Sequence, residues 1–452
     1  MIDPEALMAG LARVCARARL GALSDGAPQR LTGGAVMESW RFAAGDQPFV
    51  LRRAPSLAFM EGRAYGHAVE AALVEAARAK GVTAPEVVAV LDEADGLGSG
   101  FVMRALPGTA DPKVILTCDD SAGLLREAAR DLARIHRLRQ CDVPAGVPVM
   151  DTRAAIADLK AQFMEAGGDR PIIALGLKWL EDNCPPPVEP VLNHGDYRMG
   201  NLLVEGSALT GVLDWELAHF GDPHEDLAFG CMAVWRFARY DRPALGLGSI
   251  ADYLAAYEVE AGVRLDPARF RFWTIYRTVW WALGCLKMAA QWRSGADRML
   301  ERVVISRRTS EQELDLLLLL EEDAPEAERA FRNRVPRSWT VPGDASAGEL
   351  AQAVSEWLVT IKDRLGGHDR FQLAVARNAL GIIARDDSIR PLWPRQEALA
   401  CDILSGKQHL ATSGLLYDLR QRAFEKCLVD APKYPALAEA EQRWVNNFTR
   451  HD

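Results

Sequence analysis

The chain has 452 residues, of which 49% are hydrophobic and 25% charged, and carries a formal net charge of -9. That balance places it among globular proteins with room for two to four domains, and the negative charge argues against a general electrostatic grip on nucleic acid or acidic membranes. Its eight cysteines are scattered without a C-x-x-C pair, so neither a zinc site nor a disulfide framework is expected.

The opening stretch, MIDPEALMAGLARVCARARL, reads as an amphipathic helix with early acids and without the long apolar core of a secretory signal. No run approaches the roughly 20 apolar residues of a membrane span, so a cytoplasmic protein with no membrane segment is expected. Residues 29 to 53 read as two strands about Gly33 and Gly34, residues 56 to 62 as a turn, and the Ala- and Glu-rich Tyr65 to Lys80 as a helix. Val82 to Asp92 and Gly100 to Leu106 read as two further strands, broken by the DEADGLGSG loop. From Ser121 the pattern turns helical, beginning with AGLLREAARDLARIHRL, where leucine and isoleucine recur at helical spacing. Strand pieces and loops follow in VLNHGDYRMGNLLVEGSALTGVLDWE, residues 191 to 216, and then long helices through Trp280 and Leu314 to Leu320.

Between Glu321 and Ala347 an acidic, then basic, then Pro/Gly-containing passage marks a domain boundary, and the basic stretch at 333 to 337 reads as a solvated linker. Ser346 and Glu349 form a capping box that opens a helix, on which Leu350, Val354, Trp357, Leu358, Ile361 and Leu365 share one face. Helical segments at 370–385, 395–405, 410–430 and 436–448 complete an all-α bundle. The expected fold is therefore α+β: a small antiparallel β lobe (1–106), a larger helical lobe (107–335) and an all-α C-terminal domain (344–452).

The short interval from His194 to Glu216 carries the chemistry. Phosphoryl transfer from ATP needs a carboxylate to orient and deprotonate the attacking hydroxyl, oxygen ligands for Mg²⁺, and a cation near the nucleotide. Asp196, Asn201 and Asp214 supply the first two at the spacing that kinases use. The frame H-x-D-x-x-x-x-N matches the catalytic loop H-R-D-x-x-x-x-N, with Gly195 in place of the arginine. Asp214, after the apolar GVL, stands where the Asp of D-F-G would.

HGDYRMGN, GVLDWE and the following GDPHEDLAF together resemble the aminoglycoside phosphotransferase family of small-molecule kinases, over roughly residues 25 to 320. The resemblance implies a two-lobed protein-kinase-like fold, ATP and Mg²⁺ as cofactors, and a small-molecule hydroxyl acceptor. Residue by residue, it implies Asp196 as the base and Asn201 and Asp214 as Mg²⁺ ligands, with Glu216 either adding to the metal shell or solvating the loop. Arg52 of FVLRR takes the place of the usual nucleotide-contacting lysine. Glu70 is its carboxylate partner, with Glu75 competing. Gly33 and Gly34 of LTGGAV stand in the phosphate-covering turn, although an adjacent pair is a poor match to G-x-G-x-x-G. Met103 and Ala105 of VMRAL fall in the hinge whose backbone meets adenine. Arginine at position 52 resembles the branch of acyl-CoA dehydrogenase-linked kinases, which points to a hydroxylated acyl chain or acyl-CoA as acceptor. The C-terminal bundle resembles a domain of uncharacterised function found beside, or fused to, such kinases, which supports the domain boundary; a protein partner is expected, if anywhere, at this bundle.

The same residues also admit blander roles. Asp and Asn favour turns, yet a turn does not require the thirteen-residue interval to Asp214. His194 reads as a brace for the loop rather than a base. His219, Asp222, His224, Glu225 and Asp226 could pass for a zinc cluster of a hydrolase, against a structural role tying the catalytic loop and capping a helix near Leu227. Trp273, Trp280 and Trp281 fit core packing better than an acceptor pocket. The alternative to an enzyme is a non-catalytic nucleotide- or acyl-binding scaffold that recruits a partner.

Overall fold

The computed structural model describes residues 2–24, 26–31, 37–54, 56–335, 345–389 and 396–445. Asp3 caps helix α1 (Pro4–Ala18) by accepting the Ala6 amide at 3.0 Å, and Pro4 occupies the first turn, where its missing N–H costs nothing. The apolar face of α1, Leu7, Leu11 and Val14, packs on one side of a five-stranded antiparallel sheet. Its strands are β1 (Gln29–Arg30), β2 (Glu38–Ala44), β3 (Gln47–Arg53), β4 (Val87–Val90) and β5 (Gly100–Arg104), in the order β1-β2-β3-β5-β4. Helix α2 (His67–Ala79) lies between β3 and β4 in sequence. A tight turn at Gly45, which takes φ +55°, divides what reads in the sequence as one strand into β2 and β3.

Parity along β3 decides which of two adjacent arginines faces the second lobe. Phe49 and Leu51 join the α1 core, and Arg53, on their side, is tied to Glu38 at 2.7 Å and to the Leu97 carbonyl at 2.9 Å. Arg52 points the other way. At this level β5 can approach β3 because residue 100 is glycine; a Cβ there would lie 2.3 Å from the Arg52 carbonyl oxygen.

The helical lobe runs through α3 (Pro112–Ile115), α4 (Ser121–Ile135), α5 (Thr152–Glu165) and α6 (Pro171–Asp182), then β6 (Val191–Asn193), β7 (Leu202–Glu205), β8 (Ala208–Val212) and β9 (His219–Gly221). It continues through α7 (Pro223–Phe229), α8 (Ile250–Ala261), α9 (Pro267–Ser294), α10 (Leu300–Arg307), α11 (Thr309–Leu320) and α12 (Glu326–Arg329). The C-terminal helices are α13 (Ala347–Val359), α14 (Gly367–Ile389), α15 (Glu397–Leu404), α16 (Leu415–Asp430) and α17 (Ala436–Trp444). The expected capping box at Ser346 and Glu349 is formed. No described helix is long and apolar enough to cross a membrane.

The C-terminal helices do not stand apart from the helical lobe. Ile403, Leu419 and Trp444 share one buried core with Phe163, Trp273 and Leu317. Glu321, at the end of α11, accepts from Arg420 at 2.7 Å, from the Trp444 indole at 2.7 Å and from Arg443 at 3.0 Å. The basic stretch expected to be a solvated linker is fastened down where it is described: the Asn333 amide donates to the Trp444 carbonyl, its side chain to the Tyr417 carbonyl, and the Arg334 amide to Gln421. These backbone groups find partners on α16 and α17 instead of water.

Candidate active site

Two short ribbons assemble the site. In the β7–β8 hairpin Leu202 pairs with Val212, and the next rung joins the Leu213 amide to the Asn201 carbonyl at 2.9 Å, so Asn201 and Asp214 emerge side by side. In the second ribbon β6 pairs with β9, Asn193 opposite His219, which returns the chain to the start of the HGD loop. The thirteen-residue step from Asn201 to Asp214 is thus the length of one hairpin.

Asn201 donates through Nδ2 to the Asp196 carboxylate at 2.6 Å and to its carbonyl at 3.0 Å, while Arg198 Nε donates to the other Asp196 oxygen at 2.8 Å. Burial raises the Asp196 carboxyl above its ordinary value; Arg198 pulls it back down and the Asp214 charge pushes it up. Asp214 itself has φ +68°, a left-handed conformation that a non-glycine residue adopts at a cost, and such strain collects at functional sites.

From the opposite lobe Arg52 reaches into this group. Its Nη2 lies 2.5 Å from Asp214 and 3.0 Å from Glu216, and its Nε lies 3.1 Å from Glu70 on α2, close enough for ion pairing although poorly directed for a hydrogen bond. Burial would weaken the guanidinium, but the three carboxylates outweigh it and keep it charged. Glu70 is pushed up to about 7 by burial against the pull of Arg52, with Asp214 and Glu216 adding to the rise. Glu75, the competing partner, instead accepts the Val87 amide at 2.7 Å and faces Arg78.

Among the remaining expected site residues, Met103 pairs with Val50 inside the sheet. The Ala105 amide donates to the Pro48 carbonyl at 3.0 Å, and proline has no N–H to return. Gly33 and Gly34 lie outside the described residues.

The loop is held from beneath. Asp226 accepts the His194 amide at 2.5 Å and the Gly195 amide at 2.8 Å, with His136 Nε2 at 3.3 Å. Burial opposes ionisation of Asp226, but its hydrogen bonds and the nearby histidines hold the carboxyl down at about 2. His194 accepts the Asp196 amide at Nδ1, which leaves its proton on Nε2 for the Leu213 carbonyl, and burial keeps the ring neutral. Gly195 has φ +82°, and a Cβ there would sit 2.2 Å from the Leu217 carbonyl oxygen. That contact is why no arginine can stand between this His and Asp.

Asp222 caps α7 at Pro223, four residues before the expected helix start near Leu227. His219 pairs with Glu225 at 3.0 Å, and His224 with Asp222 at 2.6 Å and the Asp266 amide at 3.0 Å. These histidines are engaged as loop and helix braces, and no group of three His, Cys, Asp or Glu among the described residues is arranged to hold a metal ion.

A model of the phosphotransferase enzyme family matches residues 28–273, more than half of the chain. The chain belongs to that family. Acyl-CoA dehydrogenase family member 10 of Mus musculus is 26% identical over 253 residues, 48% of this chain and 22% of that protein. Acyl-CoA dehydrogenase family member 11 of Gallus gallus is 33% identical over 110 residues, 24% of this chain and 14% of that protein. The phosphotransferase chain thus spans under a quarter of the length of these curated relatives. A Ralstonia eutropha crystal structure assigned to the aminoglycoside phosphotransferases shares the fold, with a TM-score of 0.55 at 20% identity, covering 71% of this chain and 99% of that one.

Four further residues of the phosphotransferase site are not singled out by any motif position. Arg63 pairs with Glu216 at 3.0 Å and lies over the Phe59 ring, and the Tyr65 hydroxyl donates to the Trp215 carbonyl at 2.6 Å, so the segment after β3 fastens the DWE turn. Arg277 on α9 donates to the Gly195 carbonyl at 2.9 Å and pairs with Glu225 at 2.9 Å. Arg198 stacks over Trp235, which meets Trp281 and Phe229. Of the four tryptophans on α9, Trp273 is fully buried, whereas Trp280 and Trp281 are half-buried in this aromatic cluster. A separate cavity of about 210 Å³, bounded by Arg236, Arg271, Thr278, Asp315 and Arg443, includes none of Asp196, Asn201 or Asp214.

Proposed function

We propose that this phosphotransferase is an ATP- and Mg²⁺-dependent kinase that moves the γ-phosphoryl group to a hydroxyl of a small molecule. The observation that carries the reading is the meeting of Asp196, Asn201 and Asp214 on one side of a cleft with Arg52 of the other lobe, itself bound to Asp214 at 2.5 Å. Asp196 is the base: raised by burial and oriented by Asn201 and Arg198, it is placed to accept a proton from the acceptor hydroxyl. Asn201, Asp214 and Glu216 present hard oxygen donors of the kind Mg²⁺ takes, and because Asn201 spends its amide on Asp196, its carbonyl oxygen is left for the ion. When bound, the ion neutralises phosphate charge. Arg52, fixed by Glu70, contacts the nucleotide phosphates, Gly33 and Gly34 cover them, and the strand end at Met103 and Ala105 meets adenine, with the Ala105 carbonyl unanswered by Pro48.

We take a hydroxylated acyl chain, free or as its CoA thioester, as the acceptor class to test first. The half-buried Trp280 and Trp281 beside Trp235 and Arg198 offer an apolar wall next to the base, and two relatives carry acyl-CoA dehydrogenase in their names. We assign residues 1–106 to nucleotide binding, 107–335 to catalysis and 344–452 to assembly with another protein chain.

Asp196→Asn tests the base. Loss of a general base costs about a hundredfold or more in kcat, so the variant is expected to bind ATP as wild type does and to lose transfer to the hydroxyl by at least that factor. Turnover within a few-fold of wild type would remove Asp196 from the chemistry.

A further inference from the structure

The cavity at the junction of α9, α11 and α17 holds about 210 Å³, or about seven water volumes. That is room for a small metabolite and lies below the range usual for nucleotides and other large ligands. Its most buried lining is made of acceptors. Asp315 on α11 is only 6% exposed; one carboxylate oxygen takes the Tyr434 hydroxyl at 2.5 Å, and the other, Oδ1, is buried without a hydrogen-bond partner among the described residues. The Thr274 and Thr278 hydroxyls on α9 donate back along their own helix, to the Phe270 and Thr274 carbonyls at 2.8 and 2.7 Å, so toward a ligand only their oxygen lone pairs remain. A buried carboxylate oxygen with no donor is disfavoured unless something outside the chain answers it. Burial pushes the Asp315 carboxyl up to about 7, against the pull of the Tyr434 hydrogen bond and of Arg236.

The free donor comes from Arg236. It is half-buried and lies over the Tyr240 ring, and its Nε and Nη2 both donate to the Cys231 carbonyl, at 3.0 and 2.7 Å. No carboxylate among the described residues pairs with it, Asp315 included, so Nη1 and the charge are left unanswered. Arg271 and Arg443, by contrast, are engaged by Asp323 and by Glu321, each at 3.0 Å. Two opposite charges thus line one cavity without meeting.

We propose that the cavity binds a small zwitterion, an α-amino acid or an ω-amino acid, with its ammonium on Asp315 Oδ1 and the two threonine oxygens and its carboxylate on Arg236. An ammonium carries three donors and no acceptor, which suits three acceptors whose own protons are absent or engaged. A carboxylate is what a guanidinium holds best. A simple anion would leave Asp315 unanswered, and a simple cation would leave Arg236 so. The site includes none of the residues assigned to phosphoryl transfer, and its occupancy is read without turnover.

The test is a thermal-shift panel on the full chain, with the standard amino acids, β-alanine and γ-aminobutyrate as probes at millimolar concentration, followed by calorimetric titration of those that stabilise it. At least one is expected to raise the melting temperature in a saturable way, because the site ties α17 to α9 and α11. The matched amine lacking the carboxylate and the matched acid lacking the amine are expected to leave it unchanged. Asp315→Asn keeps an acceptor for Tyr434 and removes one charge; Arg236→Gln removes the other. Each is expected to weaken the probe by at least about tenfold. Thr278→Val keeps the shape of the lining and takes away one acceptor, so it is expected to weaken the probe several-fold even where a charge variant folds poorly. Stabilisation by none of the probes overturns the proposal and leaves the cavity to water. So does a probe whose affinity is the same in wild type and in the folded variants, or whose amine or acid analogue binds as tightly as the zwitterion.

Discussion

At the scale of residues, the site rests on a buried carboxylate that is not itself placed against the acceptor. Asp226 holds the amides of His194 and Gly195, and its pKa of about 2 is below the roughly 3.9 of an unfolded aspartate. A carboxyl depressed in the folded state contributes stability that is present above the unfolded value and is lost as pH falls through the folded one. Asp226→Asn is therefore expected to be less stable than wild type near neutrality, and the gap to shrink between about pH 4 and pH 2. Denaturant melts of both proteins across that range check it; a gap independent of pH would show that Asp226 is not the ionised tie. Asp196, Asn201 and Asp214 were legible from spacing because each sits at a fixed offset within a contiguous loop. Arg63, Tyr65, Arg198 and Arg277 were not, since arginine and tyrosine occur throughout the chain and three of these four reach the loop from distant segments. Arg198 lies inside the motif, and only the fold shows it bonded to Asp196 and stacked on Trp235.

At the scale of elements, alternation and capping gave most of the small lobe, and long-range packing gave the rest. Period-two reasoning separates Arg52 from Arg53, and the αL turn at Gly45 explains the extra strand. The sequence offers both Glu70 and Glu75 on one helix, about 140° apart around its axis; only the docked position of α2 shows that Glu70 is the one within 3.1 Å of Arg52. The stripe from Leu350 through Trp357 has the period of a core face, yet it lies in solvent, because hydrophobic periodicity reports that a face is made to be covered without saying by what. The passage from Glu321 reads as a domain boundary from its charge and proline content, and Glu321 itself is the buried clamp on Arg420 and Trp444. Glu321→Ala leaves Arg420 buried without its carboxylate, and removal of one partner of such a pair is expected to cost about 3 kcal/mol. Urea unfolding measures it, and a change within about 0.5 kcal/mol of zero, the size of an ordinary surface substitution, would mean that the clamp is cosmetic.

At the scale of the whole molecule, the chain joins a two-lobed phosphotransferase to helices that complete its core. Trp444 and Leu419 share a buried cluster with Phe163 and Trp273, so a chain ending at residue 335 would expose the apolar surfaces of α6 and α11. It is expected to aggregate or to lose its cooperative melt. A soluble 1–335 fragment with the wild-type melting temperature would show that the shared core is dispensable. The central claim concerns the cleft, where Arg52 of one lobe meets Asp214 of the other. Calorimetric titration with ATP, with and without Mg²⁺, of wild type and Asp214→Ala tests it most directly. Mg²⁺ is expected to strengthen ATP binding to wild type by at least about tenfold and to add nothing to the variant. Wild-type binding indifferent to Mg²⁺, or an Asp214→Ala protein that keeps the full gain, would contradict the account.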